Sequence, residues 1–163
     1  MATPAKPTKE QWDEVKRKLS TPYCSVYFLI DGYAVAAQVQ RDKMRLVIAV
    51  YVNGYMKGQD IWHGRESEID KLPDIPRRFY AIKSKGRSAK QIKQYERAFG
   101  KRETKKMGIY DRFFFTLPYF STPGAFITHI KKHNEDIQIV DYDTYKAALD
   151  QHLAAIEPEV ESA

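Results

Sequence analysis

Between Tyr23 and Trp62 the chain alternates aromatic and β-branched runs with short turn signals, and this block restricts the fold more than any other. Tyr23–Ile30 is rich in residues that suit a pleated, half-buried surface, and Asp31-Gly32 supplies a two-residue turn. Tyr33–Gln40 returns, with Ala34, Ala36 and Ala37 keeping it slim. Arg41-Asp42-Lys43 turns again, and Met44–Val52 is a third strand. Asn53-Gly54, both tolerant of positive φ, leads into Tyr55–Trp62. The expectation is a four-stranded antiparallel meander over about 23–62.

Helical signals flank this block. Thr8 and Gln11 have capping-box spacing, Trp12, Val15 and Leu19 mark one helical face, and Ser20-Thr21-Pro22 ends it. Arg65–Leu72 suits a short helix, Pro73 and Pro76 bracket a connector, and Arg77–Lys83 reads as a strand. Ser88 caps a helix to Phe99, with Gln91 in the capping-box position. Ile92, Tyr95 and Phe99 would be its buried stripe, Gly100 its left-handed end, and Lys101–Gly108 a mobile basic loop. Ile109–Thr116, with Phe113-Phe114-Phe115, suits a strand covered on both faces. Ser121 or Thr122 caps a helix that has Pro123 first, Phe126, Ile127 and Ile130 inward, and Asn134 as its stop. Ile137–Tyr142 is a short strand. Asp143 caps a last helix with Tyr145, Leu149, His152, Leu153 and Ile156 on one face and Pro158 at its end.

Strands followed by mixed strands and helices indicate an α+β fold, with the helices packed on one face of a largely antiparallel sheet. At 163 residues a single domain, 1–163, is expected, with a flexible arm over 1–7 and a frayed acidic tail over 157–163. A hydrophobic content of 43% argues against global disorder. The single cysteine, Cys24, excludes an internal disulfide framework, and its place in an apolar strand makes it inert. No basic-then-apolar leader opens the chain, and no apolar run approaches the ~20 residues of a membrane span. A soluble cytoplasmic protein without membrane contact is expected.

Charge is unevenly placed. Arg77 to Lys106 holds 12 Lys or Arg against two acids, Glu96 and Glu103, whereas the whole chain is only +6. Asn134 to Ala163 holds eight acids against Lys146 alone. Lys83, Lys85, Arg87 and Lys90 surround the expected helix entrance, where free N–H groups and the dipole favour an anion. Lys90, Lys93, Arg97 and Lys101 recur at helical spacing on one solvent face. Arg77, Arg78, Arg102, Lys105 and Lys106 extend the basic surface.

Aromatic residues interleave with these cations: Phe79, Tyr80, Tyr95, Phe99 and Tyr110. On a sheet that binds single strands, exposed rings stack on bases while cations hold phosphates. Tyr80, beside Arg77 and Arg78, is the best placed for this; Tyr95 and Phe99 belong to the buried stripe. The segment SKGRS lacks the framework of a phosphate-binding P-loop, and no RNA-recognition consensus occurs.

Other constellations have simpler readings. His129 and His133 lie four apart with Lys131 and Lys132 between them, an exposed pair ill suited to a dication. His63 with Glu66 or Glu68 could form an acid/base pair, but no nucleophile is fixed beside them. Asp136, Asp141, Asp143, Asp150, Glu157, Glu159 and Glu161 could imitate a phosphate backbone, or simply solubilise the C-terminal end.

The sequence therefore leads to a non-enzymatic protein without cofactor, metal or catalytic residues. It would engage nucleic acid or another polyanion through 83–106, mostly by phosphate contacts. The alternative is a protein-interaction module, such as an accessory or inhibitor protein of the kind phages and mobile elements encode. It would dock a larger complex through the same basic face or the acidic end. Whether that acidic end neutralises the basic helix is left open.

Overall fold

Two dipeptide turns set the register of the first sheet. In the computed structural model, which describes residues 6–55 and 61–161 with side chains through 155, Asp31 and Gly32 have φ of 46° and 88°. Asn53 and Gly54 have 51° and 82°. Positive φ at both central positions gives a turn whose twist matches the flanking strands. The Asn53 side chain adds a tie, its Oδ1 accepting from the Ala34 N–H at 3.0 Å.

Strands β1 (Ser25–Ile30), β2 (Tyr33–Asp42) and β3 (Arg45–Val52) form the expected meander, Ile30 opposite Tyr33 and Asp42 opposite Arg45. The fourth expected strand falls largely on 56–60, outside the described residues; Tyr55 bridges back to Val52. Beside β3 lies β7 (Tyr119–Phe120), and beside β1 lies β8 (Ile137–Val140), giving an antiparallel order β7-β3-β2-β1-β8. The chain after 60 builds a second antiparallel sheet. Here β6 (Phe113–Leu117) lies between β4 (His63–Arg65) and β5 (Ala81–Lys85).

The main core fills one face of the five-stranded sheet. Helix α1 (Lys9–Leu19) is closed by the Thr8/Gln11 capping box and contributes Trp12, Val15 and Leu19. Helix α4 (Pro123–His133), capped by Thr122, contributes Phe126 and Ile130 and ends at Asn134. Phe79 and Tyr80 complete this core beside Phe28, Ile30 and Val50. Helix α5 (Tyr142–Glu161) adds a layer on the opposite face, where Tyr145, Ala148 and Leu149 meet Ala34, Ala36, Tyr27 and Leu29. The small Ala34 and Ala36 let a helix approach that face, so the fold is α+β with helices on both sides of the sheet. Asp141 rather than Asp143 caps α5, accepting from the Thr144 N–H at 2.8 Å. The helix continues one short turn past Pro158, where the residue pattern predicts its end; proline removes one N–H from the ladder, and little helix remains to be disrupted.

Three further expectations are corrected. Arg77–Lys83 is not one strand: α2 (Asp74–Phe79) precedes β5. Asp74 accepts from Arg77 at 2.6 Å and Arg78 at 2.8 Å, which holds this turn helical, and Pro76 sits in the first turn where its N–H is not needed. Lys101–Lys106 is helical, the second part of α3 (Ala89–Lys106), which breaks at Gly100 with φ 78° and ψ 162°. Phe113-Phe114-Phe115 is not covered on both faces, since a three-stranded sheet leaves Phe113 48% exposed. The short helix expected over 65–72 is present as a 3-10 segment, Glu66–Lys71.

Among the described residues, no helix is long and apolar enough to cross a membrane.

Candidate nucleic-acid interface

The basic stretch forms an arm between two paired strands. β5 ends at Lys85, which is directly opposite Phe113 of β6, so the 27 residues 86–112 form one excursion from the sheet. Ser88 and Gln91 close a capping box at the start of α3, each backbone N–H held at 3.2 Å by the other's side chain. The arm returns on itself after Gly100. The Arg87 guanidinium donates to the carbonyls of Gly108 and Ile109 at 3.4 and 3.3 Å, and the Tyr110 hydroxyl donates to Glu96 at 2.7 Å. Thr104 is the buried residue of α3, its hydroxyl bonded to the Gly100 carbonyl at 2.7 Å, and Ile109 is buried beyond the helix.

The expected buried stripe is therefore displaced to the surface. Ile92 and Tyr95 are half-buried and Phe99 is 53% exposed, with the Tyr95 and Phe99 rings stacked at 6.3 Å. The periodicity was legible, but α3 belongs to the arm rather than to a layer against the main sheet, so its apolar side has little to cover it.

The thirteen candidate residues separate into three groups. Tyr80 is fully buried in the main core and cannot offer its ring to a base; leaving α2, the chain turns it inward despite the neighbouring arginines. Arg78 is a half-buried brace, bonded to Asp31 at 2.5 Å, Asp74 at 2.8 Å and Asn134 at 3.3 Å. Arg77 pairs with Asp74, and Lys106 lies 3.6 Å from Glu103. The remaining nine, Lys83, Lys85, Arg87, Lys90, Lys93, Arg97, Lys101, Arg102 and Lys105, are exposed and have no carboxylate partner among the described residues. Among those residues no ion pair joins the arm to the acidic end; Lys146 pairs with Asp150 within α5.

The second sheet contributes residues that the sequence did not single out for this role. Directly opposite residues in an antiparallel ladder share a face. His63, Phe115 and Lys83 form one cross-strand row, and Arg65, Phe113 and Lys85 form the next. Each row sets a phenylalanine beside a lysine, with Arg65 on the far side of Phe113 and His63 on the far side of Phe115. Exposure rises along this face, from buried Ala81 and half-buried Leu117 to exposed Lys85, Phe113 and Arg65. Phe113 and Lys85 also line a cleft of about 220 Å³ with Arg87, Gln91 and one carboxylate, Asp111, so the face is continuous with the entrance to α3. The opposite face carries Gly64, where an added Cβ would meet the Trp62 ring at 2.6 Å. The sequence signal was period-two alternation within β4 and β5, but the register joining it to β6 is not local.

The histidine pair is not exposed as expected. The His129 and His133 rings lie 4.3 Å apart, His129 packs on Phe120, and its Nε2–H donates to the Arg77 carbonyl at 3.0 Å. Both line a groove of about 620 Å³ with Ile69, Ile82 and Lys132. Burial, and then neighbouring His133, push His129 down to about 4. Among the described residues no three His, Cys, Asp or Glu side chains cluster as metal ligands, and His63 has no carboxylate in contact.

No family model matches the chain, and no curated protein or solved structure is significantly similar to it.

Proposed function

We propose that the protein binds nucleic acid through β5, the turn at 86–88 and α3, chiefly by contacts to phosphates and without catalysis. The observation that carries this reading is the set of nine exposed cations lacking any carboxylate partner among the described residues. Clustered like charge destabilises a folded chain by self-repulsion, and a polyanion relieves it while releasing condensed counterions. The capping box leaves α3 well started without an anion, so these cations act as a distributed surface rather than as a single phosphate pocket.

Anisotropy of labelled oligonucleotides across a salt series tests this. Log affinity should fall linearly with log salt, and Lys90→Glu with Lys93→Glu should weaken binding to every sequence and make the slope shallower. Unchanged affinity in that folded double variant would remove the arm from the interface.

A protein partner is the second reading, favoured by Phe99 and Met107, both about half exposed on the arm. An accessory or inhibitor role would use that apolar surface, or the exposed Asp141, Asp143 and Asp150 of the acidic end. Specific capture of one protein from nuclease-treated extract, lost in Phe99→Ser, separates it from the first.

A further inference from the structure

We infer that the open face of the second sheet is a stacking platform for single-stranded nucleic acid, with Phe113 and Phe115 receiving two successive bases. This rests on the polyanion reading above and specifies its ligand. The juxtaposition is the pair of cross-strand rows, Lys83–Phe115–His63 and Lys85–Phe113–Arg65. A ring with a cation on each side, as Phe113 has in Lys85 and Arg65, offers a π-face to a base and charges to the phosphates on either side of it; Phe115 has one such cation, Lys83.

Two physical points select a single strand. Phe113 and Phe115 are two residues apart on one strand, roughly 6.8 Å along it. Stacked nucleotides in a duplex rise only ~3.4 Å each. Rings at this spacing match bases drawn apart from one another, whereas a duplex keeps its base faces against each other and offers none to a phenylalanine. Charge fits the same occupant, because Lys83, Lys85 and Arg65 are exposed along the rows and their side chains form no ion pair among the described residues; the Arg65 backbone N–H donates to Glu68 at 3.4 Å. The cleft joining Phe113 and Lys85 to Arg87 and Gln91 sets two cations against the single carboxylate of Asp111, and lets the backbone continue from the platform towards α3.

The probes are labelled oligo-dT and oligo-rU of about 12 nucleotides, within the length one sheet platform covers, and a duplex of the same length. Single strands should bind more tightly than duplex. Phe113→Ala should lower single-strand affinity roughly five- to a hundredfold, with duplex affinity and the salt slope unchanged because no charge is removed. Phe113→Leu, which keeps an apolar side chain, should lose as much, and Phe113→Trp should restore binding with its emission quenched by the oligonucleotide. Phe115 is half-buried, so the exposed Phe113 carries the test. Equal dT and rU affinities would mark recognition blind to the 2′-hydroxyl; a preference would assign DNA or RNA within the same platform. If Phe113→Ala binds single strands like wild type while Lys90→Glu with Lys93→Glu does not, the platform is wrong and the polyanion reading stands. If wild type binds neither form at low salt, both fail.

Discussion

His129 keeps its neutral form because of where α4 puts it. Burial against Phe120, and then the neighbouring His133, push it down to about 4 from its ordinary 6.5, outweighing the bond from its Nε2–H to the Arg77 carbonyl, which favours the charged form. Between those values the unfolded chain binds a proton that the folded chain refuses. Stability should therefore decline as pH falls from about 6.5 to about 4, and this contribution should level off below. A difference of that size corresponds to roughly 3 kcal/mol at full extent. Denaturant midpoints across the window should fall with acid, and His129→Phe should flatten the decline; an unchanged slope in that variant would place its origin elsewhere. A second loss follows at lower pH. Burial tends to raise Asp31, but the N–H groups of Asp136 and Glu135 and the Arg78 guanidinium outweigh it, and Arg78 first among its partners holds Asp74 low. Both carboxylates stabilise the fold above their ordinary range, ~3.9, and that contribution disappears as pH falls through their lowered values.

At the scale of elements, α3 depends on its own ends more than on docking. The Ser88/Gln91 capping box closes its start and Gly100 breaks it, while little of its length is buried. Ser88→Ala should cost about 1 kcal/mol, confined to the arm. Hydrogen exchange should quicken at 89–99 while the global denaturation midpoint stays in place; a shift of that midpoint would mean that the arm is coupled to the core. The contrast between this cap and the aromatic residues shows what the chain discloses in one dimension. Asp31-Gly32, Asn53-Gly54, Thr8/Gln11 and Ser88/Gln91 were readable because φ tolerance and caps are decided within four residues. Tyr80 and Phe113 were not. A buried tyrosine after two arginines, and a half-exposed ring in a run of three phenylalanines, are decided by which sheet each strand joins, and the His63–Phe115–Lys83 row spans more than fifty residues of sequence.

At the scale of the whole molecule, the two sheets are unequal. Both hydrophobic clusters centre on the five-stranded sheet, which Ala81 at the start of β5 also joins, and the rest of the second sheet with its arm holds few buried side chains, among them Thr104, Thr116 and Ile109. Opening costs scale with buried apolar contact, so native-state hydrogen exchange should resolve two units. Amides of 63–71 and 81–117 should open at lower denaturant than those of β1–β3 and α4. A single shared opening energy would refute this division. The core thus anchors a smaller unit whose surface carries the charge.

Lys85 and Phe113 are ladder partners, and this has a consequence for how the chain can vary. Everything between them enters and leaves the sheet at one point, so the arm is topologically a hairpin loop with a helix in it. The entropy of closing a loop varies only slowly with its length, which makes such a segment easy to lengthen, shorten or exchange without redrawing the sheet. The arm can therefore change in length and sequence while β5 and β6 stay as they are. Replacing 86–112 with a two-residue turn would recover the scaffold in its plain form.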